Sequence, residues 1–343
     1  MRRVVIRKPG GTRALVIETA PEPTPSGDEV CVEVRAIGVN FADLVVRMGL
    51  YGSAKKYAGP TVVPGFEVSG TVRSVGERVT SFRPGDAVIG VTRFGGYATA
   101  LCIPEAQVKP LPRELGFSAG ATVPVAFLTA WYALIELSRL RPGYVVLVHS
   151  AAGGVGMALV ALAKRAGCRV IGIVGRAHKV AAVTALGADV VIDKSREALW
   201  PAVDRAAPAG CHVVLDANGS ETLRQSYAHL RPTGRVIVYG FHSLLRRGSD
   251  RLNPFHALAG LLKVPRFNPL KMVEQNTGVL AFNLSYLFDE LPIFSEAMNE
   301  IMTALERGEL KLPPVTEVPF DEVARAHELL HSGTTIGKVA LVL

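Results

Sequence analysis

A glycine-rich turn in the middle of this 343-residue chain constrains its fold more than any other feature. An apolar run at 144–149 leads into Ser150-Ala151-Ala152-Gly153-Gly154-Val155-Gly156, and a helix is predicted at 156–166. The turn reads A-x-G-x-x-G, a form of G-x-G-x-x-G with Ala151 in the first place. Gly153 lets the backbone approach a pyrophosphate, and Gly156 lets the helix pack closely on the strand. The helix start presents unpaired N–H groups and the positive end of its dipole. The turn also opens an alternation. Strands are predicted at 169–174, 190–192, 212–216 and 235–239, with helices at 178–186, 196–206 and 220–230 between them. Such alternation defines an α/β, doubly wound parallel sheet. VVLV and VIGIV are the continuous apolar runs expected of strands covered on both faces.

The dinucleotide type follows from charge. A site for a free ribose 2′-hydroxyl carries an Asp or Glu after the second strand. No acidic residue occurs between Ala151 and Ala188. Arg176 and Lys179 stand there instead, placed to meet a 2′-phosphate. The site therefore favours NADP(H) over NAD(H).

The flanks have a different texture. Short runs rich in Val and Ile at 4–6, 30–36, 67–75, 87–91 and 96–103 are punctuated by Gly, Pro and Asp, as in the turn Arg83-Pro84-Gly85-Asp86. They predict a β-rich barrel or sandwich. A helix at 125–137 leads into the alternating part. After a less regular stretch at 241–275 come a strand at 279–284, a helix at 295–307, a strand at 315–318, a helix at 321–331 and a strand at 338–342. This tail is expected to return to the first unit. The division is then 1–124 and 285–343 around an inserted dinucleotide-binding unit at 125–284.

Composition excludes several classes. Apolar residues are 49% and charged residues 20%, which rules out a disordered chain. The four cysteines, Cys31, Cys102, Cys168 and Cys211, include no C-x-x-C pair, which argues against a disulfide framework or a cysteine-rich zinc lobe and for a reducing compartment, the cytoplasm. No apolar segment precedes Pro9, so no signal peptide is expected. The most apolar window, 144–163, is broken by His149, Ser150 and three glycines, and reads as strand, turn and helix instead of a membrane span. The net charge is +8. There is no long Lys/Arg run, and beyond the N-terminus basic residues come at most in adjacent pairs such as Arg246-Arg247. A phosphorylated small ligand accounts for this balance better than nucleic acid.

Four segments together resemble the medium-chain dehydrogenase/reductase superfamily over essentially the whole chain: GVNFADL (Gly38–Leu44), PGFEVSGTVRSVG (Pro64–Gly76), RPGDAV (Arg83–Val88) and AAGGVG (Ala151–Gly156). The resemblance implies a chaperonin-10-like catalytic domain interrupted by a Rossmann domain. Zinc alcohol dehydrogenases of that superfamily carry a Cys where this chain has Asn40, a His where it has Phe66, and a third ligand near Val125. Phe and Val have no donor atom, so a tetrahedral zinc site is not expected. Glu67 is expected to be a structural hydrogen-bonding group. The chain thus resembles the zinc-free quinone oxidoreductase branch. Arg266-Phe267-Asn268-Pro269-Leu270 and Asn283-Leu284-Ser285-Tyr286-Leu287 are similar to the vesicle amine transport protein 1 group.

That resemblance implies hydride transfer from NADPH to a quinone or to the C=C bond of an α,β-unsaturated carbonyl. Asn40 matches a polar position beside the nicotinamide. Tyr51, in GLYG, matches the proposed proton donor of related enoyl reductases, and a phenol suits that role; a structural tyrosine is the competing reading. Asp43 is expected to be structural. Thr129 is expected to face the cofactor, Ala152, Gly153, Gly154 and Val155 to contact the pyrophosphate, and Gly175 to let the 2′-phosphate approach Lys179. Lys194 stands where the family often has Tyr, and either adds a cation or points to solvent. Asn218, Tyr239, Phe282 and Leu284 are expected along the path from adenine ribose to nicotinamide, and Lys338 at the cofactor phosphates. An apolar edge at 279–284 implies a homodimer. The Leu-, Phe- and Pro-rich stretch at 252–273 is expected to pack or to lid the site; membrane contact is the less favoured role. Two other functions use the same residues: an enoyl-thioester reductase, and an NADPH-binding, vesicle- or membrane-associated protein with little turnover.

Overall fold

The structure, a computed structural model, describes residues 1–245 and 254–343. Arg246-Arg247 and the beginning of the 252–273 stretch lie outside the described residues. The chain enters through an antiparallel pair, β1 (Arg2–Val5) and β2 (Val16–Thr19). It continues through β3 (Glu29–Val39), β4 (Glu67–Val75), β5 (Ala87–Val91), β6 (Ala100–Pro104) and β7 (Val108–Pro110). β3 pairs antiparallel with both β4 and β6, and β5 with β4 and β7. Register breaks at Cys31/Val32 and Val34/Ala36 bend β3. At the second bend β3 passes so close to Gly70 that any side chain there would overlap the Glu33 carbonyl. Val30, Val32, Val34 and Ile37 close a core with Val68, Val72, Val88 and Ile103.

A helical stretch, Phe117–Leu137, leads to the second unit. It comprises a short helix at Phe117–Gly120, a helix at Pro124–Trp131 and a π-helical turn at Tyr132–Leu137. Both the backbone N–H and the hydroxyl of Ser138 bond to the Ala133 carbonyl at the wide end. Among the described residues this is the one helix long and apolar enough to cross a membrane by length and composition, and most of it is buried. Phe127, Leu128, Trp131 and Leu134 pack there with Leu159, Met298 and Ile301.

Six parallel strands follow: β8 (Val145–Val148), β9 (Arg169–Val174), β10 (Val190–Asp193), β11 (Cys211–Asp216), β12 (Leu230–Val238) and β13 (Gly278–Ala281). Their order is β10-β9-β8-β11-β12-β13. The order reverses beside β8, so a crevice opens at the carboxyl ends of β8 and β11, where doubly wound sheets bind ligands. Gly172 in β9 lies against Ala151 and Val183, where a side chain would collide with Val183.

The tail then returns. The long helix Leu291–Glu306 packs against the linking helix; β14 (Val315–Pro319) and β15 (Lys338–Val342) complete the first sheet in the order β14-β15-β3-β4-β5-β7. Three local differences from the sequence reading have physical causes. The strand expected to run to Leu284 stops at Ala281, because the Asn283 side chain accepts from the Ser285 N–H and starts a 3-10 helix at Leu284–Asp289. The helix expected to reach Leu230 ends at Ala228, and β12 begins at Leu230, with Thr233 at φ 72° and a register shift opposite Cys211/Val213. The stretch at 241–275 holds two helices, Pro254–Leu262 and Pro269–Gln275, the second capped by Asn268.

Candidate active site

Every residue expected to contact the dinucleotide from the parallel sheet lies just past the carboxyl end of a strand or in the turn that follows. After β8 the backbone turns at Ser150, which holds a left-handed φ of 54°. Gly153 caps the helix Gly154–Arg165. A side chain at Gly156 would overlap the Ser150 carbonyl and the Ala151 backbone, so this position closes the strand–helix contact. A Cβ at Gly153 would meet only the Ser150 carbonyl, at 3.4 Å, so that side of the helix N-terminus is open. The loop is pinned from the other unit. Gly337 N donates to Ala152 O at 2.8 Å, and Gly337 bridges Gly153.

Past β9 lie Gly175, exposed Arg176 and Lys179; past β10 lies Lys194. A Cβ on Gly175 would sit 3.8 Å from Lys194 Cε, and Lys194 N donates to Val174 O, so these segments are adjacent. Lys179 Nζ donates to Gly333 O at 2.7 Å and His178 Nε2 lies 3.1 Å from Thr334 O, joining this turn to the returning tail. Past β11, buried Asn218 accepts from Ser150 Oγ at 3.1 Å and donates its N–H to Asp216. Past β12, burial and the nearby Asp216 push the Tyr239 phenol up. Past β13, Phe282 lies against Tyr132, ring centroids 5.0 Å apart, and Leu284 starts the 3-10 helix.

Sequence reasoning missed the support beneath this crevice. Buried Asp216 accepts from the Asn218 and Gly219 N–H groups and from the Thr222 and Ser226 hydroxyls. Ser226 spends its hydrogen on Asp216, so His149 Nε2, 3.0 Å away, donates to Ser226. Burial holds His149 below its usual range, which keeps the ring neutral. The ring of Phe41, in the β-rich unit, meets that of His242, past β12, with centroids 3.9 Å apart.

In the β-rich unit, Asn40, Glu67 and Lys338 form one buried knot. They are 7%, 0% and 4% exposed. Lys338 Nζ donates to Val39 O at 3.1 Å, Asn40 Oδ1 at 2.6 Å and Glu67 Oε1 at 2.8 Å. Asn40 Nδ2 donates to Glu67 Oε1, and Val125 N to Glu67 Oε2, both at 2.8 Å. The Lys338 ammonium is thus fully used inside the protein. Its stem, not its charge, lies over Gly154, where a Cβ would collide with it. Asn40 is likewise held from both ends. Asp43 takes the N–H groups of Asn40 and Gly65, and burial pushes its carboxyl up to about 7 against those bonds and Lys338. Thr129, also buried, donates its hydroxyl to Val125 O.

Tyr51 stands apart from this knot. Its ring packs against Phe66 and Phe94, centroids 5.7 and 6.3 Å away. Its hydroxyl donates to Asn283 Oδ1 at 3.0 Å and lies 2.9 Å from Ser285 Oγ. Burial is the main cause that holds this phenol above its usual range.

An open glycine loop at a helix start, cations past the next two strands and a tyrosine in an aromatic wall define a dinucleotide-dependent two-unit fold. The chain belongs to the medium-chain dehydrogenase/reductase family. Residues 26–113 match the alcohol dehydrogenase GroES-like domain, and residues 186–341 match the zinc-binding dehydrogenase family. The chain is similar to the rat synaptic vesicle membrane protein VAT-1 homolog, 31% identical across 100% of this chain and 84% of the relative. It is 30% identical to rat quinone oxidoreductase, across 100% of this chain and 98% of that one. The structure of Escherichia coli quinone oxidoreductase complexed with NADPH superposes with a TM-score of 0.86 at 28% identity, covering 100% of both chains.

The zinc in one family name does not fit the residues here. Phe66 and Val125 offer no side-chain donor, while Asn40 and Glu67 are engaged with Lys338, with each other and with the Val125 N–H. Among the described residues no group of three His, Cys, Asp or Glu side chains is arranged to hold a metal ion.

Proposed function

We propose that this chain is an NADPH-dependent reductase, acting without zinc on a quinone or on the C=C bond of an α,β-unsaturated carbonyl. One observation carries the reading: an open phosphate loop flanked by Arg176, Lys179 and Lys194 at one end of the cleft, with the Tyr51 phenol among aromatic rings in the unit opposite. When bound, NADPH supplies the hydride. The chain's own part is to hold the dinucleotide and to supply a proton. The helix start at Gly153 and Gly154 receives the pyrophosphate, and Arg176, Lys179 and Lys194 receive the 2′-phosphate. Phe66 and Phe94 offer flat apolar walls to a conjugated substrate. Tyr51 gives its proton to the substrate carbon next to the carbonyl. The Asn40–Glu67–Lys338 knot keeps the floor of the cleft rigid.

The test is a fluorescence titration with NADPH and NADH, followed by turnover on enones and quinones. Tight NADPH binding with turnover supports the reading; no binding of either nucleotide refutes it. Tyr51→Phe is expected to lower enone turnover about 10²–10⁴-fold with NADPH affinity unchanged. Unchanged turnover removes Tyr51 from the reaction. We also infer a homodimer paired through β13, which is the edge of its sheet and exposes Leu280. Light scattering checks this: Leu280→Lys should shift the mass from two chains to one, and a monomeric wild type refutes it.

A further inference from the structure

Resting on the assignment of Tyr51 as proton donor, we propose that Ser285 is the positioning residue that holds and activates the Tyr51 phenol, with Asn283 as the acceptor that parks its hydrogen. The hydrogen positions follow from the donors present. Ser285 N lies 2.9 Å from Asn283 Oδ1, so the atom facing that N–H is oxygen. Tyr51 lies 3.0 Å from the same oxygen and gives it its only hydrogen. The phenol oxygen then has lone pairs alone to offer, so Ser285 Oγ, 2.9 Å away, donates to it. The direction is Ser285 Oγ–H to Tyr51 Oη–H to Asn283 Oδ1.

This arrangement anticipates the charge that proton delivery creates. The hydride adds to the substrate β-carbon, and the proton on Tyr51 Oη goes to the α-carbon, which saturates the C=C bond. Tyr51 is left as a phenolate in a wall of Phe66 and Phe94, where a bare charge is costly. Ser285 already points a hydrogen at that oxygen and keeps it throughout. The phenolate recovers a proton from water once product leaves. Ser285 lowers the otherwise raised pKa of this phenol, in the same direction.

Ser285 is rigidly seated. It is 2% exposed, in the 3-10 helix that Asn283 starts. Arg93 Nε donates to Ser285 O at 3.1 Å, and Arg93 Nη2 reaches Asp289 at 2.6 Å while its guanidinium lies 4.0 Å from the Tyr57 ring centre.

The experiment measures NADPH-dependent enone turnover of the full chain, with NADPH affinity and the thermal midpoint taken alongside. Ser285→Ala should lower kcat about 10–100-fold, as loss of a hydrogen bond to a charged oxygen does, with NADPH affinity unchanged. Ser285→Thr should recover most of it. The solvent deuterium effect on kcat should grow in Ser285→Ala, since proton delivery becomes slower. In a Tyr51→Phe background, Ser285→Ala should add less than about twofold, because there is no phenol left to serve. An equal loss in both backgrounds, or no loss in either, overturns the proposal. A slow Tyr51→Phe beside a normal Ser285→Ala removes only the role of Ser285. A normal Tyr51→Phe removes the proton-donor reading, and this proposal with it.

Discussion

Lys338→Met separates two roles for one charge. By sequence, Lys338 is expected at the cofactor phosphates; in the structure its ammonium lies in the knot with Glu67, Asn40 and Val39. Met keeps most of the stem that lies over Gly154 and removes the charge. Glu67, 0% exposed, would be left with two neutral donors, Asn40 Nδ2 and Val125 N. Removing one partner of a buried ion pair costs about 3–5 kcal/mol. For a domain of this size that lowers the thermal midpoint by roughly 10 °C. Pairing the change with Glu67→Gln removes the stranded carboxylate and should restore the variant to within about 2 kcal/mol of wild type. Urea unfolding followed by circular dichroism reads both values, with an unchanged denaturant slope as the check on mechanism. NADPH affinity should stay within about threefold, because the stem and not the ammonium lies at the loop. A single variant less than about 1 kcal/mol destabilised, or a double variant no better than the single, would refute the role of the knot. A tenfold loss of NADPH affinity with NADH unaffected would restore Lys338 to the phosphates.

Lys179→Ala should weaken NADPH binding about 10–100-fold, the worth of one charge-assisted bond to phosphate, and NADH binding by less than about threefold. Equal losses in a fluorescence titration would place the 2′-phosphate elsewhere. Asp43 makes stability depend on pH in an unusual direction. Its folded value of about 7 lies above the usual carboxylate range, so the folded state binds the extra proton. The resulting stabilisation is full at about pH 4 and is lost as pH rises through 7, up to about 4 kcal/mol in all. Urea midpoints for wild type and Asp43→Asn between pH 5 and 8 check this. The wild type should lose stability across that window and the variant should lose less; parallel profiles would show that Asp43 stays charged.

What was legible in the sequence was local and periodic. The run before Ser150 and the spacing of Gly153 and Gly156 are short-range patterns set by backbone sterics, and the structure gives both glycines the surroundings that pattern requires. β4, β5, β9 and β15 are uninterrupted between their turn residues, and their limits match the sequence reading. Long-range pairing leaves no such trace. Asn40, Glu67 and Lys338 are hundreds of positions apart at the extremes, and the antiparallel registers of β15 and β4 on β3 bring them together. Sequence shows that Lys338 is cationic; it does not show which oxygens surround it. The same holds for Tyr51. Its GLYG context pointed to the phenol, but its partners lie more than 230 residues away, Asn283 inside a segment read as strand and Ser285 just past it. The signal for a turn was present in Asn283 and Ser285, since Asn accepts readily from the N–H two residues on. The apolar run before them masked it. In both places the partners of a side chain are distant in sequence, and both lie where the tail crosses back to the first unit. That crossing is where this fold builds its cleft, so the residues hardest to place from sequence are those on which catalysis is proposed to depend.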